Sequence, residues 1–129
     1  MSPLLLDTCA LLWWMADAPE LGRAARRVIA NRGNRIMVSA ASLWEIAIKR
    51  RRGRLFGVDD YLAHYDELHI RWGFSTLVIE PADAVAAGSL PLPLDDPFDR
   101  MLIVQGRRLA ARIVTCDTEI RRHVRGCVW

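Results

Sequence analysis

The chain is nearly without lysine: Lys49 is the only one, although Lys and Arg together number 18. It has three cysteines, Cys9, Cys116 and Cys127, and no C-x-x-C. An odd and scattered set implies neither a disulfide framework nor a thiolate zinc site. Reduced thiols in a cytosol are the simplest reading. No uncharged apolar stretch reaches the roughly 18 residues of a membrane span. The apolar start MSPLLLDTCALLWW lacks a basic leader region and is interrupted by Asp7, so it does not read as a signal peptide. A cytoplasmic protein without a membrane segment is the expectation.

What is present suits one compact domain over residues 1–129. Hydrophobic residues make up 52%, which argues against disorder. The net charge of +3 has the sign a nucleic-acid partner would want, but it is mild, and where the charges sit matters more than their sum. There is no repeat, no low-complexity segment and no linker.

Leu4-Leu5-Leu6 is a short apolar run that stops at Asp7, as a buried parallel strand does. A helix through Leu11, Leu12 and Met15 follows, ending near Pro19, and residues 20–31 read as a second. Ile36-Met37-Val38 is the next strand. Ser39 or Ser42 can cap a helix running to about Arg52, and Gly53 ends it. Residues 58–71 are spaced for a helix, and Thr76 to Ile79 for a third strand. Pro81 to Gly88 fits a short helix, and SLPLPLDD a loop. Asp96-Pro97 opens a helix to about Ala110, with Pro97 at its favoured first position. Ile113 to Thr115 is a fourth strand, a brief helix follows Asp117, and Cys127 to Trp129 is a candidate fifth strand. Short apolar strands alternating with helices predict a three-layer α/β/α domain with a mainly parallel sheet of four or five strands.

Four acids fall in telling places. Asp7 and Asp117 follow strands, where sites form in open parallel sheets. Glu45 borders the apolar arc of Ala40, Leu43, Trp44 and Ala47, and Asp99 lies in the first turn of the helix from Pro97. All four can converge on one sheet edge. Packed carboxylates repel one another unless a cation neutralises them. Mg²⁺ and Mn²⁺ take such oxygen donors, and they activate water and polarise phosphates. Each acid also has a structural alternative. Asp7 and Asp117 could be helix caps, and Asp96 with Asp99 could form a capping box. Glu45 could simply pair with Lys49 one turn on, for about 0.2–0.5 kcal/mol.

The segments LLLDTCALLWW, SLWEIAIKRRRGRL, DPFDRMLIVQG and IVTCD, in this order and spread over nearly the whole chain, resemble PIN-domain proteins. The similarity is greatest to the VapC-type toxins of bacterial toxin–antitoxin pairs. The resemblance puts the family's four acids on Asp7, Glu45, Asp99 and Asp117, and its usual hydroxyl on Thr115. It implies an Mg²⁺- or Mn²⁺-dependent ribonuclease that cuts tRNA, rRNA or mRNA, leaving 5′-phosphate and 3′-hydroxyl ends. It also implies a homodimer silenced by a small cognate antitoxin. Such proteins often carry histidine just ahead of DPFDR. Here the loop reads Leu92-Pro93-Leu94-Asp95-Asp96, with no histidine, and Asp96 could compete with Asp99 as a ligand, though a helix cap is its preferred role.

Thr8 and Arg100 are supporting candidates, Arg100 as a fork that orients a neighbouring carboxylate. Lys49, Arg50, Arg51, Arg52 and Arg54 form the densest basic run, readable as an RNA-backbone flank or as charges suited to a helix C-terminus. The groups Arg107, Arg108, Arg112 and Arg121, Arg122, Arg125 read as solvated faces. Trp44 reads as core. One of the adjacent Trp13 and Trp14 could be exposed for base stacking or buried at an interface. His64, His69 and His123 share no ligand spacing.

Three other functions compete with this reading. A binding module that acts with a DNA-binding partner as a repressor would tolerate loss of an acid, and all four are present. An aspartyl-phosphate enzyme of the phosphatase type wants an acid two residues after Asp7, where Cys9 stands; a receiver wants a late lysine. A PIN nuclease of RNA maturation differs from the toxin reading in genomic context.

Overall fold

A computed structural model describes residues 3–129. Four strands, β1 (Leu4–Leu6), β2 (Ile36–Ser39), β3 (Phe74–Leu77) and β4 (Arg112–Val114), form one sheet in the order β3-β2-β1-β4. Every pairing is parallel, with Leu4 opposite both Ile36 and Arg112, and Ile36 opposite Phe74. Among the described residues seven helices accompany the strands, six between them and the last after β4: α1 (Thr8–Met15), α2 (Arg23–Ala30), α3 (Ala40–Arg51), α4 (Asp59–Trp72), α5 (Pro81–Ser89), α6 (Pro97–Leu109) and α7 (Thr118–His123). Among the described residues no helix is long and apolar enough to cross a membrane.

The period-two geometry of β1 divides its leucines between two cores. Leu4 and Leu6 pack with Ile36, Val38 and the inner faces of α1, α2 and α4, through Leu11, Ile29 and Tyr61. Leu5 turns the other way, onto Met37 and Leu102 of α6. A sheet covered on both sides leaves its strands apolar throughout, as LLL is. Burying each leucine is worth roughly 2 kcal/mol, so the strand that ends in Asp7 is firmly anchored.

Three details differ from expectation. The third strand begins two residues early. Gly73 ends α4 with φ 75°, and the chain enters β3 at once with Phe74 buried against Trp14 and Trp72. The packing of Phe74 sets this edge register, and the β-branched Val78 is left exposed. The C-terminal segment adds only an isolated bridge, Val114 to Val128, in place of a fifth strand. On α3 the buried stripe is Ala41, Ser42 and Ile46, so Trp44 is 58% exposed instead of core. Trp13 and Trp14 are both half-buried, packed edge-on against Trp129 and Trp72 respectively, so neither is a free stacking platform.

Candidate active site

β1 delivers Asp7 to the carboxyl end of the sheet, where it caps α1 by accepting the Ala10 amide at 2.7 Å. Ser39 caps α3 in the same way, accepting the Ala41 amide, and the rotated face of that helix turns Glu45 inward. Asp96 caps α6 through the amides of Phe98 and Asp99, at 2.9 and 3.0 Å, and leaves Asp99 in the first turn. Asp117 follows β4 and caps α7 through the Ile120 amide at 3.0 Å. Asp7, Asp96 and Asp117 are therefore all helix caps, and the same side chains still share one pocket. Asp7, Glu45, Asp96, Asp99 and Asp117 line a cavity of about 230 Å³ together with Thr8 and Lys49.

Two threonines hold the acids apart and in place. The Thr8 hydroxyl donates to Glu45 Oε1 at 2.6 Å and lies 3.1 Å from Ser42 Oγ. The fully buried Thr115 accepts the Asp117 amide at 2.9 Å and bonds the Asp7 carboxyl. Lys49 meets Glu45 Oε2 at 2.9 Å, the pair its spacing allowed. The Asp99 side chain has no hydrogen bond or ion pair among the described residues.

Burial, and crowding after it, show in the acidities. Burial pushes Asp7 up to about 6, with the charges of Asp117 and Glu45 adding to the rise and the Thr115 and Ala10 bonds opposing it. Burial likewise pushes Asp99 up to about 7, followed by repulsion from Asp96, Asp117, Glu45 and Asp7. A cation placed among them would reverse both effects. The donors are hard oxygens, which fit Mg²⁺ or Mn²⁺. Among the described residues no three ligating side chains stand as a preformed metal cage, and Glu45 is engaged by Thr8 and Lys49. The pocket fits an ion that keeps water and takes only a few carboxylates, as Mg²⁺ does.

Other candidates are placed differently. Arg100 orients no carboxylate; its guanidinium donates to the carbonyls of Ala87, Gly88, Leu90, Leu92 and Leu94. Arg108 is no solvated charge, since it forks onto Asp83, which is 1% exposed. Arg50 is engaged with Asp59 at 2.7 Å, whereas Arg51, Arg52 and Arg54 are exposed and have no ion pair among the described residues. His69 is core, between the Tyr61 hydroxyl and Thr76 Oγ1, each at 2.6 Å. Sequence reasoning missed Cys9 and Cys116 as pocket walls. Their places beside Thr8 and Asp117 were the available signal.

Fold and pocket together define a class: a doubly covered parallel α/β domain that gathers carboxylates at the carboxyl ends of its strands. The PIN domain model matches residues 4–125. Ribonuclease VapC22 of Mycobacterium tuberculosis (strain ATCC 25618 / H37Rv) is 30% identical over 126 residues, covering 95% of this chain and 93% of that protein. The crystal structure of VapBC2 from Rickettsia felis bound to a DNA fragment from their promoter superposes with a TM-score of 0.63 at 15% identity, over 92% of this chain and 91% of that one. This chain belongs to the PIN-domain family.

Proposed function

We propose that the chain is a divalent-metal-dependent endoribonuclease, the VapC-type toxin of a toxin–antitoxin pair acting in the cytoplasm. One observation carries the reading: four acids from four separate elements line one pocket, and two of them are driven towards neutral acidity by burial, with repulsion from their neighbours adding to it. The relationship to a ribonuclease over nearly the full length supports it. The structural neighbour, a toxin–antitoxin assembly, shares the fold.

Asp7, Asp99 and Asp117 would hold Mg²⁺ or Mn²⁺, with Glu45 directly or through water. The ion, when bound, supplies Lewis-acid stabilisation of phosphate charge and lowers the pKa of a water. The chain's own residues set the geometry. Thr115 ties Asp7 and the Asp117 backbone together, and Thr8 aims Glu45. Lys49 balances Glu45 until RNA and ion arrive, and Arg51, Arg52 and Arg54 offer the RNA backbone three free charges at the end of the same helix. A homodimer belongs to this reading. Exposed Trp44, Val78 and Val85 and an apolar groove of about 210 Å³ between Trp44, Phe98 and Met101 support a second copy as its cover.

The test is incubation of antitoxin-free protein with total RNA, with Mg²⁺ or Mn²⁺ and with EDTA, beside Asp7→Asn and Asp99→Asn. Discrete metal-dependent fragments that vanish in both variants are expected. Equal cleavage by the variants would refute the site. No cleavage by folded protein would favour a repressor module.

A further inference from the structure

Arg100 makes a contact set that the acidic pocket does not explain. Nε donates to Ala87 O at 2.8 Å, Nη1 to Leu92 O at 3.2 Å and Leu94 O at 2.7 Å, and Nη2 to Gly88 O at 3.4 Å and Leu90 O at 2.6 Å. A guanidinium has five N–H groups, so its donors and these acceptors match in number. It has no acidic partner among the described residues. Ala87 and Gly88 are in the last turn of α5, whose carbonyls lack intrahelical donors and favour a cation.

The three leucine carbonyls explain the L-P-L-P-L spacing. Leu90 and Leu94 are buried and Leu92 half-buried against α6, through Ile103 and Val104, while Pro91 and Pro93 face solvent. The Leu92 amide bonds Leu90 O and the Leu94 amide bonds Leu92 O, two successive three-residue turns. The prolines have no N–H to leave unpaired. Each leucine thus buries its side chain and presents its carbonyl to one guanidinium.

Arg100 follows Asp99 directly, and its Nη1 holds the carbonyl of Leu94. That contact closes a short ring around residues 95–99. Inside the ring the Asp96 carboxylate takes the amides of Phe98 and Asp99. We propose that Arg100 is a positioning residue: by stapling the 90–94 strap to α6 it fixes Asp96 and Asp99 relative to each other, and so sets how well the pocket binds a divalent cation. This rests on the metal-dependent reading of the same pocket. Lysine cannot replace it, because a point charge with three donors cannot meet five carbonyls in a fixed fork.

The experiment compares the full chain with Arg100→Lys, Asp96→Ala and the double variant. Readouts are Mn²⁺ binding by electron paramagnetic resonance, hydrogen exchange of the Phe98 and Asp99 amides, and kcat and KM for RNA. We expect Arg100→Lys to keep its circular dichroism and to bind Mn²⁺ about 10-fold more weakly, in the range seen when outer-shell partners of a metal site are removed. Both amides should exchange about 10-fold faster, and kcat should fall with KM for RNA unchanged. The double variant should lose no more than Asp96→Ala alone. Wild-type Mn²⁺ affinity and amide protection in Arg100→Lys, or losses that multiply in the double variant, would overturn the proposal. If Arg100→Lys does not fold, exchange in the unmodified chain decides. The Leu92, Leu94, Phe98 and Asp99 amides should open together with one urea dependence, and independent opening refutes the staple. If the unmodified chain cuts no RNA, the nuclease reading fails, while the exchange results still decide the role of Arg100.

Discussion

Asp99→Asn should abolish metal-dependent cleavage and at the same time stabilise the metal-free fold at alkaline pH. Asp99 stands at about 7 in the folded chain against an ordinary 3.8. At 1.36 kcal/mol per pH unit, that difference corresponds to about 4 kcal/mol against the ionised folded state. Asp99 is only half-buried, so solvent screening reduces this to about 2 kcal/mol. The N-terminus of α6 favours an anion there by about 0.3–1 kcal/mol, which asparagine forgoes. Nothing else is lost, because no hydrogen bond or ion pair of the Asp99 side chain exists among the described residues. The net gain at about pH 8 is therefore about 1–2 kcal/mol. The sign follows from proton counting. A carboxyl raised in the folded state holds its proton between the unfolded and folded values, so the folded chain binds more protons there and stability falls as pH rises from about 4 to about 7. Asp7, at about 6, acts in the same direction. Urea unfolding in EDTA at about pH 5 and about pH 8 tests this. The unmodified chain should lose stability at the higher pH, and Asp99→Asn should lose less. Adding Mn²⁺ should restore the unmodified chain and not the variant. If Asp99→Asn is no more stable than the unmodified chain at pH 8, the crowding argument fails.

Thr8→Val removes the bond that aims Glu45, so cleavage should fall about 10-fold while the cost in urea stays near 1 kcal/mol, the usual net worth of one hydrogen bond; unchanged kinetics would mean that Lys49 alone orients Glu45. Arg108→Ala strands the enclosed Asp83 carboxylate, whose acidity the guanidinium holds below the usual range. The arginine is itself partly open to water, so the expected loss is about 2 kcal/mol in urea unfolding, at or below the lower end for broken buried pairs, with RNA binding untouched. Trp44→Asp should convert a dimer to a monomer in light scattering with less than about 1 kcal/mol lost by the single fold, because the ring is largely exposed; a dimer that survives would place the second copy elsewhere.

The acids were legible because their positions are local. Each directly follows a strand, sits on a capped helix or opens one, and parallel pairing then delivers them to one edge without further information. The sheet was legible for the same reason, since LLL and IMV are short apolar runs that fit strands covered on both sides. Trp44 was not, because a helical wheel orders residues around an axis and does not say which arc faces in. On α3 the polar Ser42 belongs to the buried stripe, since its hydroxyl has a buried partner in Thr8, and a hydrophobic count cannot see that partner. The β3 boundary failed likewise: Phe74 wins the register through contacts with Trp14 and Trp72, far away in sequence or on another element.

Arg100 is the most instructive miss. A guanidinium next to an aspartate in a cluster of acids invites a carboxylate partner, and local reasoning supplies one. The five carbonyls that take it lie 6 to 13 residues upstream, in a helix end and a proline-spaced strap whose folding back no pattern announces. The choice has an electrostatic logic. An arginine bound to Asp99 would have offset the repulsion that makes this pocket want a cation. Turned away onto neutral carbonyls, it fixes the backbone and leaves the carboxylate charge uncompensated. A site meant to take an exchangeable ion needs rigid walls and unspent negative charge, and Arg100 supplies the first without consuming the second.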